Sequence, residues 1–187
     1  MSGQLIMVVG PSGAGKDTVV DWVMAHWQGP STLHWARRTI TRPTQAGGEP
    51  HESLDTAHFE AQLAQGCFAL HWTAHGLHYG VRHAELQGLA QGHWVLVTGS
   101  RNHLAQARAQ HPGLRVLHIT AHPDTLRQRL GQRQRETSAE IEARVQRNAR
   151  LAPPLQPGDM EMSNDGPLAD TGQAVLRWLQ QLHQGLT

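Results

Sequence analysis

Apolar and polar positions fall in blocks along this chain, and the blocks predict strands separated by helices. Leu5-Ile6-Met7-Val8-Val9 is an unbroken apolar run, the signature of a strand buried on both faces. Trp94-Val95-Leu96-Val97-Thr98 and residues 114–120 repeat it, and residues 160–163 predict a further short strand. Helices are predicted over residues 17–27, 84–91, 102–110 and 171–183, and over 56–65, where Phe59 and Leu63 stand four apart. A long helical run over 123–150 is interrupted around Arg133 and Arg135, and Pro153-Pro154 and Pro157-Gly158 end it. Residues 32–40 read as one strand carrying Arg37-Arg38, residues 41–55 as a loop, and 66–81 as short strands and turns. Strands alternating with helices predict an α/β fold whose parallel sheet is covered on both faces.

The first strand runs straight into Gly10-Pro11-Ser12-Gly13-Ala14-Gly15-Lys16-Asp17, and a helix follows directly. Strand, glycine-rich turn and helix N-terminus together make a phosphate cradle. Backbone N–H groups converge there, the helix dipole adds partial positive charge, and Lys16 neutralises the outer phosphates. The chain is therefore expected to bind a nucleoside triphosphate through Gly10, Pro11, Ser12, Gly13, Ala14, Gly15, Lys16, Asp17 and Thr18. The strict pattern places Ser or Thr after the lysine, facing Mg²⁺; here Asp17 supplies a hard carboxylate oxygen, with the Thr18 hydroxyl next to it.

Composition narrows the field. A net charge of +1 over 187 residues makes no general electrostatic case for nucleic acid or membrane binding. Cys67 is the one cysteine, which excludes an internal disulfide and suits a reducing cytoplasm. No basic segment precedes the first apolar run, and no stretch is long enough to span a bilayer. The fourteen histidines lack the spacing of a zinc site, and the six tryptophans read as packing rather than as base-stacking platforms. In an open parallel sheet the ligand lies beyond the carboxyl ends of the strands. One domain is expected: a core of residues 1–33, 92–125 and 151–187, an acceptor-side insertion at 34–91, and a lid at 126–150. Two jaws that exclude water suit a kinase acting on a small molecule.

The chain resembles the guanylate kinases and their relatives along its whole length. Gly10–Lys16 resembles their opening loop, and Thr39-Ile40-Thr41-Arg42-Pro43 with Gly48-Glu49 resembles their acceptor-phosphate loop. Gly76-Leu77-His78-Tyr79-Gly80 is similar to their Gly-Asn-Tyr-Tyr-Gly turn. Arg129-Leu130, Arg133 and Ala143-Arg144 look like the lid, and Asn164-Asp165 like the turn beside the adenine. The departures cluster on the base. Leu70 and Ser100 stand where that family reads guanine with Glu and Asp, Gln45 replaces a loop arginine, and His51 and His78 replace tyrosines. Two unpartnered guanine donors would each cost about 1–3 kcal/mol.

Those departures resemble a narrower family, the ribose 1,5-bisphosphate phosphokinases of phosphonate catabolism. The match is carried by Asp17 after the lysine, Gly99-Ser100-Arg101 after the second strand, residues 103–108 and 126–130, and Asn164-Asp165-Gly166. The resemblance implies transfer of the ATP γ-phosphoryl to the 1-phosphate of α-D-ribose 1,5-bisphosphate, with Mg²⁺. Lys16, Arg133 and Arg144 would stabilise the transferred group, and Arg135 would share that work. Asn164 would lie beside the nucleotide, while Arg42, His78, Tyr79, Arg38, Ser100 and Arg101 would contact the acceptor. Thr98 stands where guanylate kinases carry an acidic residue, so Asp17 is expected to move the magnesium-facing carboxylate into the phosphate loop. Arg127, Arg129, Arg147 and Arg150 read mainly as a solvated helix face. A nucleoside monophosphate kinase of altered base preference and a non-catalytic binding module stay open as alternatives.

Overall fold

The computed structural model describes residues 3–43, 50–132, 137–149 and 151–185. Its first strand, β1 (Gln4–Val9), is buried at all six positions, as the apolar run demands. The chain then passes through the glycine turn into α1 (Lys16–His26). Two compact units divide the fold. One comprises Met1–Met7 and Pro30–Leu114, the other Val8–Gly29 and Arg115–Thr187, so β1 contributes to both.

The first unit holds β2 (Leu33–Trp35), β3 (Arg38–Ile40), β4 (His51–Ser53), α2 (Thr56–Ala64), β5 (Phe68–Ala74), β6 (Leu77–Arg82), α3 (His83–Leu86), β7 (Trp94–Thr98) and α4 (Leu104–Gln110). The second holds α1, β8 (Arg115–Thr120), α5 (Pro123–Gln132), α6 (Ser138–Ala149), β9 (Met160–Ser163) and α7 (Leu168–Gly185). A five-stranded sheet runs in the order β2-β7-β1-β8-β9, with β2 parallel to β7 and β8 parallel to β9. A smaller sheet has the order β4-β3-β6-β5.

Two segments differ from the sequence expectation. Residues 32–40 are two strands belonging to different sheets. The Ala36 N–H still bonds Leu96 O, but the Arg37 N–H turns to the Glu85 carboxylate, and β3 then pairs antiparallel with β6. The segment 41–55 contains β4, drawn into parallel register beside β3 (Thr39 opposite Glu52). Neither pairing leaves a periodic signal in three residues. The remaining elements lie within a few residues of expectation. Residues 66–81 close as a hairpin through His75 and Gly76, both at positive φ, the geometry of a type I′ turn. In the second unit, α7 packs on α1 through Gly172, where a Cβ would fall 2.1 Å from the Trp22 ring.

Candidate active site

The phosphate loop is built by close approach. Gly10 sits where a Cβ would fall 1.9 Å from Ile119 O, so only glycine lets the loop leave β1 beside β8. Gly15 caps α1 in the left-handed region, and a Cβ there would meet Asn164 Nδ2 at 2.6 Å. Asn164, buried at the end of β9, donates that amide to Ala14 O at 2.8 Å. Its own N–H bonds Thr120 O, which fixes the turn to the tip of β8. Lys16 Nζ lies along the loop, donating to Gly10 O and Pro11 O at 3.0 Å each.

Arg129, which the sequence marks both as resembling the lid and as one of a solvated row of arginines, makes contacts at the loop that neither reading names. Its guanidinium donates to Asn164 O at 2.7 Å, to Ala14 O at 3.3 Å and to Gly13 O at 3.5 Å. It therefore ties α5 to the phosphate loop and to the β9 turn. The signal was present: Leu126 and Leu130 are the buried positions of α5, and Arg129 lies on their side of the helix. Asp165 completes the clamp, accepting the His122 N–H at 2.8 and 3.0 Å just before α5. The Ser163 hydroxyl, foremost, holds the Asp165 carboxyl below the usual carboxylate range. Between these parts lies a cavity of about 350 Å³, lined by Gly13, Gly15, Thr18, Arg129, Asn164 and Leu168 among others. That volume falls within the range of small-molecule sites.

Asp17 is half-buried, and its Oδ1 is inaccessible with no hydrogen-bond partner in the structure. An orphaned carboxylate oxygen beside a phosphate cradle fits a cation. Arg144 is half-buried on α6. Arg127 bridges α5 to α6 through Glu142 at 2.8 Å and also pairs with Asp124 at 2.7 Å. Arg133, Arg135, Gln45, Gly48, Glu49 and Arg150 lie outside the described residues.

The expected acceptor residues all lie in the other unit. Arg38 Nη1 donates to Thr98 O at 3.1 Å, and the guanidinium sits over the Tyr79 ring at 5.5 Å. Thr98 Oγ1 accepts the Trp35 indole N–H. Ser100 and Arg101 follow β7, both half-buried, and burial pulls the Arg101 guanidinium down from its ordinary value. His78 and Tyr79 point to opposite faces of β6, as neighbours on a strand must. The His78 ring packs on Phe59 at 5.4 Å and meets Thr73 Oγ1, whereas Tyr79 stacks on Trp72. Thr41 bonds the His78 backbone, and the carbonyl of the next residue, Arg42, accepts His51 Nε2 and Ser53 Oγ. Leu70 is fully buried opposite Val81.

A parallel sheet, a glycine loop entering a helix and a lysine folded over that loop define a P-loop kinase. The solved guanylate kinase of Anaplasma phagocytophilum has the same fold, with a TM-score of 0.70 at 13% identity over 96% of this chain and 86% of that one. No protein-family model matches the chain. Its sequence is 46% identical over 179 residues to the ribose 1,5-bisphosphate phosphokinase PhnN of Chromobacterium violaceum, covering 96% of this chain and 95% of the relative. The enzyme of the same name from Azotobacter vinelandii is 43% identical over 182 residues, 97% of this chain and 98% of that one. The chain belongs to the ribose 1,5-bisphosphate phosphokinase family.

Proposed function

We propose that this protein transfers the γ-phosphoryl group of ATP to the 1-phosphate of α-D-ribose 1,5-bisphosphate, yielding 5-phospho-α-D-ribose 1-diphosphate and ADP. The observation that carries the reading is full-length identity of 46% to an enzyme of that name. The site chemistry supports it. An oxygen of the 1-phosphate attacks the γ-phosphorus, the bond from that phosphorus to the β,γ-bridging oxygen breaks, and ADP leaves with the electron pair. The attacking oxygen is already ionised, so no general base is needed, and the histidines are spared that task.

Catalysis is then positioning and charge neutralisation. The Gly10–Lys16 loop holds the β- and γ-phosphates, Arg129 and Asn164 keep the loop in shape, and Arg144 and Arg133 act on the transferred group. Arg38, Tyr79, Ser100 and Arg101 form the acceptor-contacting set this geometry favours, with Arg42 and His78 on the Thr41 side. An anionic acceptor would offset the desolvation that depresses Arg101. Asp17 would hold Mg²⁺ with the nucleotide phosphates, and the bound ion would neutralise charge on the β- and γ-oxygens. Residues 34–91 would act as the acceptor-side jaw and 126–150 as the lid.

Phosphoryl transfer from Mg·ATP to ribose 1,5-bisphosphate, GMP and AMP, each offered alone and followed by ³¹P NMR, tests the reading. Turnover of the sugar alone is expected; turnover of GMP instead would overturn it. Asp17→Ala should weaken Mg·ATP binding at least tenfold while leaving metal-free ATP binding within about threefold. Equal losses in the two titrations would remove Asp17 from the metal site.

A further inference from the structure

Loss of the two guanine-reading carboxylates would account for rejection of guanine, but it would not bar other bases. The first unit holds a second device. The β5–β6 hairpin sets Trp72 directly opposite Tyr79, so both side chains leave the same sheet face. Their rings are parallel to within 1°, with centroids 5.4 Å apart. Trp72 also stacks with His103 at 5.3 Å, and the Arg38 guanidinium covers Tyr79. Trp72 is only 8% exposed, so the indole fills this face rather than lying across it.

The acceptor in the reaction above is a ribose phosphate with a second phosphate where a nucleotide carries its base. A base is held in proteins by flat π faces, because stacking tolerates every base alike. The phenol of Tyr79 beneath an arginine is such a face, and the indole of Trp72 is stacked on it. We propose that Trp72 is a specificity-determining residue of the acceptor pocket. Its indole occupies the stacking position that a nucleotide base would need, closing the pocket to nucleoside monophosphates of every kind while leaving room for a sugar phosphate. The proposal rests on the reading of Tyr79 and Arg38 as acceptor residues.

Binding separates this inference from the reading it rests on. Wild type, Trp72→Phe and Trp72→Ala are titrated calorimetrically with AMP, GMP and ribose 5-phosphate, with near-ultraviolet circular dichroism establishing that each is folded. Removing the ring should let AMP and GMP bind at least tenfold more tightly than to wild type. Ribose 5-phosphate should change less than threefold, and the Phe variant, which keeps a ring on Tyr79, should stay closed to both nucleotides. Free indole should compete with AMP for the opened slot in the Ala variant. Wild type that already binds AMP or GMP as tightly as the Ala variant overturns the proposal. So does a folded Ala variant with no gain for either nucleotide. If Trp72→Ala does not fold, Trp72→Leu, which keeps apolar volume without a flat ring, takes its place and is judged by the same tenfold gain. Failure of wild type to phosphorylate ribose 1,5-bisphosphate would remove the proposed reaction, yet the nucleotide titrations would still decide whether Trp72 blocks a base.

Discussion

Burial holds the His103 imidazole below its ordinary value of 6.5, and the nearby His71 pushes the same way, against a hydrogen bond with Gln106. Its Nε2 is buried without a hydrogen-bond partner in the structure, which suits a neutral ring. A histidine depressed in this way resists protonation only while the chain is folded. Its contribution to stability is therefore complete above pH 6.5 and is lost as pH falls through 6.5 toward the folded value. His103→Phe keeps a ring against Trp72 and removes the titration. Thermal midpoints of the two proteins should run parallel above pH 7 and diverge below about 6.5, with wild type falling faster. Parallel curves down to pH 5 would mean that this ring does not resist charge. The sequence carried no hint of this burial, because one histidine among fourteen has no periodic partner to mark it. Arg129 differs: its half-buried place against the phosphate loop is legible from Leu126 and Leu130, whereas the resemblance reads it as lid and the row of arginines on its helix reads as solvated.

At the scale of elements, the small sheet is tied by one polar cluster. Glu52 on β4 accepts Arg82 Nε and Nη2 at 2.7 and 2.8 Å, and the Thr39 hydroxyl of β3 at 2.7 Å; Arg82 also bonds Gln62 of α2. The Arg82 hydrogen bond, more than any other contact, holds the Glu52 carboxyl below its ordinary 4.5. This stabilisation is present above pH 4.5 and is lost as pH falls through the lower folded value. Glu52→Gln should cost about 1–2 kcal/mol at neutral pH in urea unfolding, less than a fully buried pair because both side chains keep some solvent. The difference between the two proteins should shrink steadily below about pH 4.5, since wild type then loses the same charge. A constant difference across that range would show that shape rather than charge holds β3, β4 and β6 together. These strands were also the least legible part of the fold. Strands β1, β7 and β8 announce themselves by apolar runs buried on both faces, whereas β2, β3 and β4 have three residues each and owe their form to pairing partners distant in sequence. The phosphate loop was legible because its chemistry is local. The acceptor side was only half legible, because the opposite orientations of His78 and Tyr79 appear once β6 is known to be a strand.

At the scale of the whole molecule, the cavity beside the glycine loop belongs to one compact unit and the expected acceptor residues to the other, while β1 is shared, residues 4–7 with the first and 8–9 with the second. A strand cannot keep half its ladder once the other half has gone, so a shared central strand should make the two units unfold as one. Ligand linkage exposes whether they do. ATP at one hundred times its Kd adds about 2.7 kcal/mol to the stability of whatever unfolds with its site, which slows exchange of globally protected amides about a hundredfold. The amides to follow are those of β8, in the unit that carries the cavity, and of β7, in the unit that does not. Both strands are buried along most of their length, so both should report the global opening. Hydrogen-exchange mass spectrometry should therefore find β7 and β8 slowed by the same factor when ATP is added. Slowing of β8 alone would mean that the first unit opens independently while nucleotide stays bound, and that the acceptor residues are held by their own sheet and not by the phosphate-binding half.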